Sequence, residues 1–116
     1  MRENLFLFSL VLGLNLMANF CSAEVMWEPE VRLTNEPGDA YVFSNDRSVA
    51  TDSQNRIHVI WHILDGNNRE IYYKRSLDTG RTWEGAVLLT VNSASRYASI
   101  ATDSQNRVHV VWVDYR

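Results

Sequence analysis

The sequence predicts an all-β fold assembled from repeated antiparallel sheets. The first observation behind this prediction is an internal repeat: SVATDSQNRIHVIW at residues 48–61 recurs as SIATDSQNRVHVVW at residues 99–112, an offset of 99 − 48 = 51 residues, with Val/Ile exchanges as the only differences. The second is a set of short apolar and aromatic runs separated by turn residues, a pattern typical of strands. The third is the lack of a helical period after the amino-terminal segment. Four strands in a repeat of this length are typical of a β-propeller blade, and a solenoid is the alternative.

The amino-terminal segment, residues 1–23, is predicted to be an export signal. Arg2 is followed by an apolar run from Leu5 to Met17. Cys21, Ser22 and Ala23 come next, and they match the small-residue cleavage site of a signal peptidase. The run is too short to span a bilayer as a helix, so we expect no membrane span in the mature chain. The alternative is a buried amino-terminal helix. We expect cleavage after Ala23 and a secreted, periplasmic or cell-surface location.

Composition narrows the function classes. The net charge is −3, which argues against a nucleic-acid partner, because such proteins usually carry a basic surface. The chain has a single cysteine, Cys21, and it lies in the predicted signal. The mature chain, residues 24–116, would therefore have neither a disulfide nor thiol chemistry. No cofactor-binding motif is present, and we expect no cofactor.

The strands of the first repeat follow from its apolar runs and turns. Asn55 suits the left-handed conformation of a turn over 52–55, and Gly66 lies in a second turn over 65–68. The next turn region, 76–82, precedes the last strand. These turns predict four strands, at 48–52, 57–63, 70–76 and 83–90.

The second strand is apolar on both faces. One face, called the Val59 face, contains Ile57, Val59, Trp61 and Ile63. The other, called the Ile60 face, contains His58, Ile60 and His62. Both faces should therefore be covered, as in a sheet packed between two others. The equivalent strand of the second repeat begins at Val108.

A fainter repeat links the two outer strands. WEPEVRLT at 27–34 resembles WEGAVLLT at 83–90, an offset of 83 − 27 = 56 residues. This predicts an isolated outer strand at 27–34, which would close a ring of sheets by completing its last member. The repeats then span 48–90 and 99–116. The predicted architecture is a partial β-propeller, with one full four-stranded blade and parts of two others.

Between the third and fourth strands stands a specific motif, Ser76-x-Asp78-x-Gly80-x-Thr82-Trp83. It matches the Asp-box of bacterial neuraminidase repeats, and residues 27–116 resemble sialidase-like β-propellers. Gly80 permits positive φ, and the Asp78 carboxylate suits hydrogen bonds to turn amides. In that family the box lies away from the active centre, so the resemblance implies a structural role for these five residues.

The resemblance also implies where an anionic sugar could bind. Sialidases hold the substrate carboxylate with an arginine cluster, and one arginine lies in a Phe/Tyr-Arg-Ile-Pro signature. This chain has Ser95-Arg96-Tyr97-Ala98 and then Arg116, but lacks the Phe, Ile and Pro of that signature. Arg96 and Arg116 are therefore the candidate sugar-binding residues, and the alternative is that both are surface arginines. No residue of the chain is assigned as catalytic.

The histidines do not predict a metal site. His58 and His109 are equivalent residues of two different repeats. His58 and His62 share a strand face but stand about 13 Å apart, too far for one zinc ion.

The predicted function is that of an exported Asp-box propeller, of which this chain is the amino-terminal fragment. We expect a glycan-binding or scaffold propeller without complete catalytic machinery. The alternatives are the amino-terminal part of an exo-α-sialidase, a glycoside hydrolase, and a truncated product without independent function. A closed propeller needs about 4 to 8 blades. The expected partners are therefore the remaining blades of a larger propeller, together with glycans. The fragment alone should have no glycosidase activity.

Overall fold

In the computed structural model, the described residues are 6–7, 10–12, 25–42, 47–91 and 93–115, with side chains from Trp27 onward. Most of the predicted signal, including its cleavage site at Ala23, lies outside these residues, as does Arg116. The described residues form strands and no helix, so the predicted all-β class is confirmed. None of them belongs to an apolar helix of the length that a bilayer crossing requires.

In chain order the strands are β1 Phe6–Leu7, β2 Leu10–Leu12, β3 Val25–Trp27, β4 Val31–Arg32, β5 Asp39–Tyr41, β6 Val49–Thr51, β7 Ile57–Asp65, β8 Asn68–Ser76, β9 Val87–Leu88, β10 Arg96–Thr102 and β11 Val108–Val113.

The main sheet is built around β7. One edge of β7 pairs with β8 along its whole length, from Ile57 opposite Ser76 to Asp65 opposite Asn68. Gly66, at φ +60°, allows the tight turn between these two strands. The other edge of β7 is shared by β6 at its start and β5 at its end. With β9 beside β8, the sheet has five strands.

The main sheet differs from its sequence-based prediction in two places. Residues 39–41, which lie outside every strand predicted from the sequence, form β5. The predicted fourth strand at 83–90 is reduced to Val87–Leu88, although the segment follows β8 further. Glu84 N donates to Arg75 O at 3.0 Å and Leu89 N donates to Ile71 O at 2.8 Å. Between these bonds the Gly85-Ala86 stretch leaves the ladder, which shortens the strand.

The outer strand predicted at 27–34 is also different. It is divided into β3, which pairs with β2, and β4, which pairs with β1. Pro29 lies between them, and it has no N–H to donate to a ladder. The single long strand was therefore a wrong prediction, and both partner strands lie in the segment predicted to be a signal.

Both faces of β7 are buried, as predicted. The Trp61 cluster covers the Val59 face, and the Ile60 cluster covers the Ile60 face. The Trp61 cluster consists of Leu33, Ala40, Val59, Trp61 and Ile63. The Ile60 cluster consists of Ile60, Ile71, Ala98 and Ile100. The main sheet is thus the middle layer between the segment around Leu33 and the β10–β11 hairpin.

The hairpin packs on the main sheet through a fixed pair of faces. Val108 and Val110 lie against the Ile60 cluster, and they are the repeat equivalents of Ile57 and Val59. The Val59-type face of the second repeat therefore rests on the Ile60 face of the first. The two repeated turns also meet, since Asn106 Oδ1 accepts hydrogen bonds from Ser53 N at 3.0 Å and from Ser53 Oγ at 2.8 Å.

The fainter repeat has a matching role in packing. Leu33 lies over the Val59 face in the Trp61 cluster. Leu89, its equivalent at 33 + 56 = 89, packs in the Ile60 cluster together with Val108 and Val110. Each of these leucines thus belongs to the cluster that includes the Val59-type face of the repeat that follows it in the chain.

Candidate functional site

The two candidate regions lie at opposite ends of the main sheet. β7 begins beside the turn at 52–55, and β8 returns to that end and leads into the Asp-box. The opposite end carries the turn around Gly66 and, next to it, Ala94, which forms a bridge with Arg69. Arg96 follows directly in the chain. The Asp-box and Arg96 are therefore separated by the length of the sheet.

The Asp-box is a closed loop of hydrogen bonds centred on Asp78. Its Oδ1 accepts from Thr82 N at 2.8 Å, and its Oδ2 accepts from Thr82 Oγ1 at 2.6 Å. Ser76 Oγ lies 2.8 Å from Asp78 Oδ1 and accepts from Gly80 N at 2.8 Å. The φ of Gly80 is +94°, the positive value expected for it. Trp83 Nε1 donates to Gly80 O at 3.1 Å, and the indole packs against the Trp61 cluster.

These bonds determine the charge state of Asp78. Hydrogen bonds from the side chain and backbone of Thr82, and then from Ser76, lower the pKa of Asp78 from 3.8 to about 2. Both carboxylate oxygens are used within the loop. A carboxylate held ionised in this way suits a turn-stabilising role and is poorly suited to act as a general acid near neutral pH.

A second carboxylate organises the repeated turn. Asp52 Oδ1 accepts from Gln54 N and Arg56 N, both at 3.0 Å, and Oδ2 accepts from Arg56 Nε. His58 Nε2 lies 3.2 Å from the same Oδ2, and His58 Nδ1 lies 2.8 Å from the Tyr73 hydroxyl. Burial opposes the ionisation of Asp52, but the hydrogen bonds from Arg56 and His58 outweigh it and hold its pKa well below the usual range.

The second repeat builds the same network. Asp103 accepts from Gln105 N at 2.9 Å and from Arg107 N at 3.0 Å through Oδ1. Its Oδ2 accepts from Arg107 Nε at 2.7 Å and lies 2.8 Å from His109 Nε2. The hydrogen bonds that Asp103 accepts from His109 and from Arg107 lower its pKa. The role of these aspartates was not predicted, although the spacing Asp-x-x-x-Arg-x-His, present in both repeats, is the signal that could have revealed it.

Asp52, His58 and Tyr73 are connected in the order that a proton relay requires, but the arrangement is buried. His58 is 1% exposed, and the hydroxyl at the end of the chain of contacts belongs to Tyr73. Burial raises the pKa of Tyr73, so its hydroxyl remains protonated at neutral pH. The geometry therefore indicates a core network that joins β7 to β8.

The three histidines are not brought together. His58 and His109 belong to separate networks, and His62 is buried on the Ile60 face. Among the described parts of the chain there is no cluster of three or more His, Cys, Asp or Glu residues with the spacing of a metal site.

Arg96 lies where β10 begins, at an irregular point of the hairpin. It pairs with Val113, and the register shifts between Arg96 and Ser99, where Tyr97 has φ +56°. The guanidinium carbon lies 5.6 Å from the centroid of the Tyr115 ring, within the range of a cation–π contact. Arg96 Nε is buried and has no hydrogen-bond partner among the described residues. Its predicted companion, Arg116, lies outside those residues.

The segment that leads to Arg96 is held by a buried polar cluster that the sequence did not predict. It is called the Glu70 cluster and contains Glu70, Thr90, Ser93 and Ser95. Glu70 accepts hydrogen bonds from Thr90 Oγ1 at 2.6 Å, from Ser93 N at 3.0 Å and from Ser93 Oγ at 3.0 Å. Ser95 Oγ lies 2.7 Å from Ser93 Oγ. Thr90, Ser93 and Ser95 are all buried. This cluster fixes the chain between β9 and β10 and so positions the start of β10.

Comparisons with family models, with curated proteins and with solved structures find no match for the chain. The candidate binding site therefore rests on the sequence resemblance that singled out Arg96 and on the geometry of the Arg96–Tyr115 pair beside the Glu70 cluster.

Proposed function

We propose that the chain is part of an exported, sialidase-like Asp-box β-propeller that binds glycans or serves as a scaffold without complete catalytic machinery. The observation that carries the proposal is the repeated mode of stacking. The second repeat rests on the first through Val108 and Val110, the equivalents of the residues that Leu33 covers in the first. The loop geometry of Asp78 supports the resemblance further.

This stacking is heterologous, because the Ile60 face of the first repeat meets the Val59-type face of the second. Such contacts produce a ring when the rotation closes. A propeller ring contains about 4 to 8 blades, whereas the described residues supply one five-stranded sheet, the β10–β11 hairpin and the two short pairs β1–β4 and β2–β3. The proposal therefore includes further blades, contributed by the rest of a larger propeller.

Glycan binding is proposed for the Arg96 end of the sheet. A guanidinium over an aromatic ring combines a cation suited to a sugar carboxylate with an apolar surface suited to a sugar ring. The second candidate function is that of an exo-α-sialidase, and the same guanidinium favours it. Hydrolysis would also need a nucleophile and an acid/base residue at this end, contributed by other blades.

The test is a titration of the chain with a sialylated trisaccharide and, separately, with the neutral disaccharide that lacks the sialic acid. We expect binding of the acidic glycan, lost in Arg96→Ala and retained in Arg81→Ala, which removes the same charge from the exposed box loop. A fluorogenic sialoside should show no turnover. Equal binding by both variants would contradict the site, and turnover above the buffer rate would favour the hydrolase.

A further inference from the structure

β11 is the repeat equivalent of β7, but the two strands have different neighbours. β7 pairs with β6 on one edge and with β8 on the other. β11 pairs with β10, the equivalent of β6, and its second edge has no partner strand among the described residues. That second edge corresponds to the one that β8 occupies on β7.

β11 is apolar, and several of its side chains are exposed where their counterparts on β7 are buried. Val111 is 66% exposed and its equivalent, Ile60, is 1% exposed. Val113 is also exposed, at the position of buried His62. Between 108 and 113 the edge has no proline, lysine or acidic residue, which are the residues that usually protect a free edge from pairing.

We propose that the free edge of β11 binds an added antiparallel strand with the sequence pattern of β8, in the register that β8 adopts on β7. The occupant is defined by the repeat, because residues 57–61 and 108–112 differ only by Val/Ile exchanges. The added strand would place Tyr72-type and Tyr73-type residues opposite Trp112 and Val111, as they lie opposite Trp61 and Ile60 in the main sheet. This inference rests on the repeat and is independent of glycan binding.

Two side-chain contacts of β8 give the added strand its specificity. The Tyr72 ring stacks on Trp61, with centroids 5.9 Å apart and planes inclined by 15°. Trp112 offers the same surface, and it is 41% exposed. The added strand would thus recover at Trp112 the ring stacking that Trp61 makes with Tyr72.

The Tyr73 hydroxyl makes the second contact, at 2.8 Å from His58 Nδ1. The equivalent histidine, His109, is already oriented by Asp103, whose Oδ2 lies 2.8 Å from its Nε2. Its Nδ1 is therefore the atom left to receive a tyrosine hydroxyl, as in the first repeat.

The backbone of β8 shows which of its groups would face β11. Ile71 N donates to Thr90 Oγ1, and the carbonyls of Ile71 and Arg75 accept from the β9 side. Backbone N–H and C=O groups of successive residues in a strand point to opposite edges. The N–H groups of Tyr72 and Lys74 therefore point toward β7. In the added strand, these same two N–H groups would donate to β11.

The experiment uses the full chain and a fluorescent peptide with the sequence of residues 66–76. We expect saturable binding by anisotropy, roughly tenfold weaker for the peptide with Tyr72→Ala. N-methylation at Tyr72 and Lys74 should abolish binding, whereas N-methylation at Ile71 and Arg75 should leave it intact. This pair of peptides separates strand addition from nonspecific hydrophobic contact without altering the protein.

Two chain variants locate the site. Val111→Lys should abolish peptide binding, and Val91→Lys, at a valine that is 62% exposed elsewhere, should not. Absence of binding to the folded chain, equal effects of the two N-methylated peptides, or unchanged binding by Val111→Lys would each overturn the proposal. Binding of the glycan is read separately, so loss of either activity does not imply loss of the other.

Discussion

Trp61 and Trp112 occupy the same position in two nearly identical strands, 112 − 61 = 51 residues apart, but Trp61 is 1% exposed and Trp112 is 41% exposed. Trp61 is covered on its face by the Trp61 cluster and stacks on Tyr72 from the adjacent strand. Trp112 lies in β11, and the β10–β11 hairpin has no third strand among the described residues. We therefore expect the same residue type to contribute more to the free energy of unfolding in the first repeat than in the second.

Trp61→Ala is expected to destabilise the chain by about 3–5 kcal/mol, the loss typical of truncating a fully buried tryptophan. Trp112→Ala should cost about 1–2 kcal/mol, because less of its surface is buried. Urea unfolding followed by circular dichroism measures both, and equal losses would show that the two positions are packed alike.

Trp83→Ala should destabilise the main sheet by about 2 kcal/mol, less than a fully buried indole, because Trp83 is only partly buried against the Trp61 cluster. The variant also loses the hydrogen bond from Nε1 to Gly80 O. Arg81→Ala, in the same loop, is the control and should leave the urea midpoint unchanged. An unchanged urea midpoint in Trp83→Ala would mean that the Asp-box does not stabilise the main sheet.

Stability should depend on the protonation of Asp78 in acid. Its pKa is 3.8 unperturbed and about 2 in the folded chain, so the folded state favours the ionised form. The resulting stabilisation is complete above about pH 4 and is lost as the pH falls through about 2. Thermal melts from pH 5 to pH 2 should show wild type and Asp78→Asn converging toward the acid end. A constant difference in melting temperature between the two proteins from pH 5 to pH 2 would contradict the lowered pKa of Asp78. Glycan binding at neutral pH should be unaffected by the substitution.

Asp52→Asn should lower the melting temperature more than Asp103→Asn. The two side chains make the same hydrogen bonds, but the Asp52 side chain is 0% exposed and that of Asp103 is 25% exposed. Replacing Asp52 leaves Arg56 and His58 with a weaker acceptor in the interior, where water cannot substitute. A larger loss of melting temperature in Asp103→Asn would show that the exposed network around Asp103 stabilises the fold more than the buried one around Asp52.

Export should remove residues 1–23. The basis is the short apolar run followed by Cys21-Ser22-Ala23. Intact-mass measurement on secreted protein should identify Glu24 as the first residue. A lipid-modified Cys21 at the amino terminus would replace this interpretation with that of a lipoprotein.

The sequence alone determined the features that depend on local pattern. Alternation from Ile57 to Ile63 assigned the apolar side chains of this stretch to the correct faces, because successive side chains of a strand point in opposite directions. The positive φ of Asn55 and Gly80 followed from residues that accept that conformation. The Asp-box loop likewise uses bonds between residues at most four positions apart.

Only the tertiary structure decided what depends on distant partners. β5 has no strong pattern of its own, and it exists because the end of β7 offers a free edge opposite Asp39–Tyr41. The Glu70 cluster joins residues 20 and 23 positions apart, which no local spacing reveals. The different burial of Trp61 and Trp112 has the same origin: a repeated strand has the same intrinsic preferences in both places, but its burial is set by the neighbours that pack on its faces and pair with its edges.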